Sequence, residues 1–146
     1  MFKHILIATD GSPVSNKAAK AAIALASALG AKVTAYCAVE PMQILYAEDY
    51  AFDEEFLQGI EARARALAQK RVDTIGKMAK VAGTPFAALV TKAYTTYEGI
   101  IAAAKKHKCD VIFMASHGRR GLSKLIMGSV TQKVLTHSVI PVVVYR

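Results

Sequence analysis

Cysteine is scarce in this sequence. Cys37 and Cys109 lack CxxC spacing and are too few for a disulfide scaffold, so both are expected as buried or partly buried free thiols. Long apolar runs are missing too. No uncharged stretch approaches the roughly 18 to 20 residues that span a bilayer, and the longest, such as Ala21 to Ala31, contain Ser and Gly. The start Met1-Phe2-Lys3-His4 runs directly into a strand-like segment without a charged n-region, apolar h-region and cleavage site. A cytoplasmic chain with no membrane partner is the expectation. His4, His107, His117 and His137 show neither HxxxH nor HExxH spacing, which argues against a metal cage made by protein alone.

Several nucleotide and enzyme signatures are also absent. Lys124 is followed by Leu125 with no preceding glycine, so there is no P-loop. The turn after the first strand holds only Gly11, so the GxGxxG dinucleotide fingerprint is missing. Met114-Ala115-Ser116-His117-Gly118 has Met where a nucleophile elbow needs glycine, and no acid follows Asp110 to complete a triad. No catalytic residue is assigned on these grounds.

What is present fits one globular domain, residues 1–146, long enough to bury roughly 70% of its unfolded surface. Hydrophobic residues make up 53% and charged residues 21% of the chain. The formal net charge is +8, and its distribution matters more than its size. After Glu98, eight basic side chains face the single acid Asp110, while Glu40, Glu48, Asp49, Asp53, Glu54 and Glu55 form an acidic pole without an intervening Lys or Arg. That asymmetry suggests a local anion site as readily as a basic surface. The basic third lacks the aromatic-interleaved or recognition-helix patterns of nucleic-acid binders, so nucleic acid is not the expected partner.

Ile5-Leu6-Ile7-Ala8 reads as a strand buried on both faces of a parallel sheet. Ser12 is placed as N-cap and Pro13 at the first position of a helix that Gly30 stops. Lys32 to Val39, Phe86 to Thr91, Val111 to Met114 and Val142 to Tyr145 read as further strands. Helices are expected from about Asp53 to Ala82, Thr96 to His107 and Ser129 to His137. Pro41 to Phe52 fits neither period and is expected as a mobile acidic loop. Alternation of strands and helices argues an α/β class, with a doubly wound, Rossmann-like sandwich the leading topology.

Ligands of such sheets bind beyond the carboxyl ends of the strands where strand order reverses. Thr9-Asp10-Gly11 and Ala115-Ser116-His117-Gly118 should share that crevice. Downstream, Arg119, Arg120 and Lys124 lie between Gly118 and Gly128-Ser129-Val130-Thr131. A phosphate would find backbone N–H groups there, with the Ser129 and Thr131 hydroxyls beside them. An ordinary N-cap followed by a solvated turn is the other reading. Asp10 either bonds a base, a ribose or a phosphate-bound Mg²⁺, or bonds the backbone of its own turn.

Ile5 to Ser12, Asp110 to Gly118, Gly128 to Thr131 and Ile140-Pro141-Val142-Val143-Val144 together resemble the universal stress proteins over essentially the whole chain. The resemblance implies a five-stranded parallel sheet of order 3-2-1-4-5 with four helices, commonly a homodimer, in ATP-binding or non-binding form. The nine residues from Arg119 to Met127 that separate Gly118 from Gly128-Ser129 match the ATP-binding type, and Ala115 stands in place of its first glycine. Carried over, Ala8, Thr9 and Asp10 would border adenine and ribose, with Ala38 and Met114 against the base. Ala115, His117 and Gly118 would follow the ribose and first phosphate, and Gly128, Ser129, Val130 and Thr131 the outer phosphates, with Arg119 and Arg120 as counter-charge. Tyr94-Thr95-Thr96 departs from the Gly and Pro that relatives often carry at the crevice rim.

The implied function is an ATP-binding stress-response sensor or regulator, with Mg²⁺ carried by the nucleotide through Asp10 and at most slow hydrolysis. It would act through a regulatory protein partner of unknown identity, and would dimerise along Val142 to Tyr145, an apolar edge strand. The alternative is a dimeric interaction module of the same fold that binds no nucleotide.

Overall fold

In a computed structural model of the chain, residues 1–41, 53–119 and 127–146 are described. Most of the expected acidic loop, together with Arg120 and Lys124, lies outside them. Nine elements alternate along the chain: β1 (His4–Ala8), α1 (Pro13–Leu29), β2 (Lys32–Val39), α2 (Glu54–Val81), β3 (Phe86–Lys92), α3 (Thr96–Lys106), β4 (Val111–Ala115), α4 (Ser129–His137) and β5 (Val142–Tyr145). Their boundaries follow local chemistry. The Ser12 hydroxyl accepts from the Ser15 amide with Pro13 next to it, and Gly30 ends α1 at φ 64°, where only glycine sits without strain. Asp53 caps α2 by accepting from the Glu55 amide, and Glu54 and Glu55 complement the positive end of the helix.

The five strands form one parallel sheet of order β3-β2-β1-β4-β5. Period-two alternation divides the apolar side chains between its faces. Ile5, Ile7, Val33, Ala35, Val111, Phe113 and Ala115 pack beneath α1 and α2, against Ala18, Ala22, Ala26, Val72 and Ile75. Leu6, Ala8, Tyr36, Ile112 and Met114 pack on the other face, against Ile100, Ile101, Ala104 and Val134 of α3 and α4. Alanines along α1 hold no side chain beyond Cβ, so the helix can lie close to the sheet. Cys37 and Cys109 are both buried free thiols. Among the described residues, no helix is long and apolar enough to cross a membrane.

The centre of the sheet determines where a ligand could lie. β1 pairs with β2 on one side and β4 on the other, so strand order reverses between β1 and β4. Asp110, just before β4, accepts from the Lys3 amide at 2.7 Å and the His4 amide at 3.2 Å, locking the amino end of this strand pair. The carboxyl ends of β1 and β4 then open side by side.

Candidate functional site

The turn after β1 is filled by its own hydrogen bonds. The Thr9 hydroxyl accepts from the Gly11 amide at 3.0 Å and lies 3.1 Å from the Ser15 hydroxyl. Asp10 Oδ1 accepts from the Ser12 amide at 2.9 Å. Gly11 turns the chain at φ 77°. The first turn of α1 is thereby closed: its cap is the Ser12 side chain, and the Ser15 hydroxyl donates back to the Ser12 carbonyl at 3.0 Å.

The turn after β4 is built differently. Its base is tied where the Gly128 amide donates to the Ser116 carbonyl at 2.8 Å and the Thr131 hydroxyl to the Ala115 carbonyl at 3.0 Å. Above that base, α4 starts at Gly128 with no side-chain cap and no acid in its first turn. The first N–H groups of a helix have no acceptor within it, and the positive end of the helix dipole lies among them. Ser129 is exposed at this end and Thr131 is buried. The Thr131 hydroxyl is therefore spent on the loop, while the first-turn amides have no side-chain cap and Ser129 is exposed beside them.

Asp10 joins the two turns. While Oδ1 holds Ser12, Oδ2 accepts from the Arg119 amide at 2.8 Å across 109 residues of sequence. Burial pushes this carboxyl up, but hydrogen bonds from the Ser12 hydroxyl and amide, the Arg119 amide and the Ser15 hydroxyl outweigh it and hold the group below its ordinary range. A Cβ on Gly118 would run into that carboxylate, so glycine at 118 lets the second turn reach the first. His117, half-buried, has its Nδ1 3.0 Å from the Ser116 hydroxyl.

The described sequence-predicted residues lie at or near one switch point, while Arg120 falls outside the described residues. Ala8, Met114 and the partly buried Ala38 belong to the apolar cluster on the α3 and α4 face, at the ends of β1, β4 and β2. Ala115 ends β4, and its methyl packs into the opposite cluster beneath α1 and α2. Among the described residues, Lys108 is the one non-glycine with positive φ, so alanine at 115 carries no backbone strain. Tyr94, 86% exposed, lies elsewhere. It borders a groove of about 310 Å³ between β3 and α3, with Leu89, Thr91, Thr95 and Gly99, that no predicted site residue lines.

For a nucleotide the donor set fits: uncapped helix amides at the start of α4, apolar side chains at the ends of β1, β2 and β4, and the Asp10 carboxylate in the turn after β1. For a metal held by protein alone it does not. The described residues contain no cluster of three or more His, Cys, Asp or Glu. One neighbour of the site was not legible as such. Arg71 of α2 lays its side chain across Gly11, and the signal for it is a cation at helical spacing between Ala68 and Ile75, on the buried side of α2.

A parallel sheet wound on both sides, with its open helix end at the reversal of strand order, defines a Rossmann-like α/β protein. The sequence model of the universal stress protein family matches residues 1–146, and the chain belongs to that family. The universal stress protein MJ0531 of Methanocaldococcus jannaschii is 32% identical over 149 residues, covering 100% of this chain and 83% of that protein. The solved structure of MJ0577, from the same organism, superposes with a TM-score of 0.83 at 26% identity, covering 99% of this chain and 95% of that one. Two more distant structures share the fold. One is a universal stress protein in complex with cAMP, at TM-score 0.73 and 19% identity, covering 99% of this chain and 97% of that one. The other is an Archaeoglobus fulgidus universal stress protein in complex with dAMP, at TM-score 0.65 and 16% identity, covering 100% of this chain and 98% of that one.

Proposed function

We propose that this protein binds an adenine nucleotide across the carboxyl ends of β1 and β4 and serves as a nucleotide-responsive regulator in a stress response. The observation that carries the reading is the uncapped N-terminus of α4 beside the turn that Asp10 ties to Arg119. Phosphates would take the first-turn amides and the Ser129 hydroxyl, with Arg119 and Arg120 as counter-charge. The base would lie against Ala8, Ala38 and Met114, and the ribose near Thr9, Asp10, Ala115 and His117. The cAMP and dAMP complexes of structural relatives support an adenine ligand, and we take ATP with Mg²⁺ as the form to test first. Asp10 is one carboxylate already accepting two amides, so metal-assisted hydrolysis would be slow.

The working assembly is a cytoplasmic homodimer paired along Val142 to Tyr145, an edge strand with one free ladder. Calorimetric titration of MgATP into protein stripped of copurified nucleotide tests the binding, alongside mass spectrometry of whatever the purified protein releases on denaturation. Saturable heat and a released adenine nucleotide are expected. No heat and no shift in melting temperature would overturn the reading. Sedimentation at micromolar concentration should give twice the mass of 15.7 kDa, and a monomer would remove the dimer.

A further inference from the structure

Arg71 is the charged side chain that the site as described leaves without work. It lies one helical turn from both Ala68 and Ile75, on the side of α2 turned to the sheet, and is half-buried. Its stem passes so close to the β1 turn that a Cβ on Gly11 would sit 2.7 Å from Cγ and 2.9 Å from both Cδ and Nε. Beyond Gly11, Nη1 reaches 3.9 Å from Cys37 Sγ on β2. A thiol is a weak acceptor, while a guanidinium carries five N–H donors and keeps its charge.

No described carboxylate forms an ion pair with that guanidinium. Among the described residues the one ion pair is Lys92 with Glu61, so Arg71 meets no carboxylate there. The Asp10 and Arg119 charges act on the same Cys37 thiol as Arg71 does. Asp10, however, has turned both oxygens to the Ser12 and Arg119 amides. Two cations and one committed acid leave the α2 side of the crevice positive. A half-buried guanidinium held by a single thiol keeps donors free that a ligand anion would take as charge-assisted hydrogen bonds.

We propose that Arg71 is a recognition residue whose guanidinium donates to a phosphoryl oxygen of the nucleotide bound across β1 and β4. This rests on the nucleotide reading of the site and adds a requirement to it: the ligand carries an anionic oxygen that reaches the α2 side of the Gly11 turn. A phosphate-free nucleoside cannot make that contact.

The test compares adenosine, AMP and MgATP by calorimetry on the full chain and on Arg71→Met, which keeps an apolar stem over Gly11 and removes the guanidinium. Loss of a charge-assisted hydrogen bond should weaken AMP and MgATP about tenfold or more, while adenosine changes less than about twofold. Arg71→Lys retains the charge without the fork and should fall between the two; it also provides the comparison should the Met variant fail to fold. Unchanged AMP and MgATP affinities in both variants would overturn the role of Arg71 and leave the nucleotide reading standing. An equal loss for all three ligands would reduce Arg71 to a support for the turn, which also overturns the proposal. Failure of the unsubstituted chain to bind any of them would overturn both readings together.

Discussion

Two turns lead from a strand into a helix at the switch point, and they treat the helix's free amides in opposite ways. After β1, Ser12 caps α1 with its own side chain, and the Thr9 and Asp10 side chains take the Gly11 and Ser12 amides. After β4, glycine begins α4, no side chain caps it, and the hydroxyl two residues into the helix is drawn down to the Ala115 carbonyl. The first turn is a finished piece of scaffold, and the second holds its donors outward. Having two junctions of like topology is therefore no guide to having two anion sites. What separates them is whether a short polar side chain stands at the cap.

Substitutions at the closed turn should damage folding first, and those at the open turn should damage binding first. Asp10→Ala removes the acceptor of two amides and the link between the turns. Hydrogen bonds to a charged group suggest a loss of about 3 kcal/mol, measurable by urea denaturation. Gly11→Ala forces a Cβ into positive φ and against the Arg71 stem, and about 2 kcal/mol should be lost by the same measurement. Ser12→Ala deletes the α1 cap at a cost of about 1 kcal/mol. Ser129→Asp should have the smallest effect on folding and the opposite sign. An acid in the first turn of α4 should stabilise by about 0.5 kcal/mol while repelling a phosphate, so stability rises as MgATP affinity falls. If Ser129→Asp leaves nucleotide affinity intact, the open turn is not the anion site and the contrast collapses.

Acid titration probes the closed turn in a second way. The Asp10 carboxyl is held below its ordinary 3.8, so the stability it contributes is complete above that value and is lost as pH falls through the lower folded one. At the opposite end of β1, burial first and the Lys32 charge second hold His4 below its ordinary 6.5, with its Nε2 2.8 Å from the Thr34 hydroxyl. The unfolded histidine takes a proton sooner than the folded one, so stability is complete above pH 6.5 and declines below it. Thermal melts across both windows should show two separate declines, with Asp10→Asn flattening the lower one and leaving the upper.

Most of the scaffold was legible because its signals are local. An apolar run, a Ser-Pro start and a glycine stop define β1 and α1 within ten residues of each end, and the motif blocks place the strand order. The structure moves some edges by one residue: His4 joins β1, Lys92 joins β3 and Ala115 joins β4. Ladder pairing with a neighbouring strand decides those ends, and hydropathy does not report it. Within the site, Asp10, His117 and Gly118 were legible as neighbours through the carboxyl-end rule for parallel sheets, while Gly128 came from the glycine spacing and Ala8 from the family resemblance. The division of labour between Ser129 and Thr131 was not, because two hydroxyls at a helix start read alike until the Ala115 carbonyl is seen to take one. Arg71 was hidden for a different reason. A cation at the edge of the buried side of a charge-rich helix reads like the solvent-facing ones around it, and its proximity to Gly11 exists only after α2 has packed on the sheet.

The bond from Asp10 to the Arg119 amide also bears on how the protein is made. A ribosome releases the amino end first, and the acceptor emerges 109 residues before its donor. β1 likewise waits for β4, its neighbour in the sheet, so a product truncated before residue 111 leaves one edge of its central strand unpaired and has no crevice at all. Contacts this distant in sequence also slow folding, because a long loop must close before they form. The centre of the sheet is therefore completed only once β4 has emerged, and until then the unpaired edge of β1 is the nascent chain's most exposed point for misassociation.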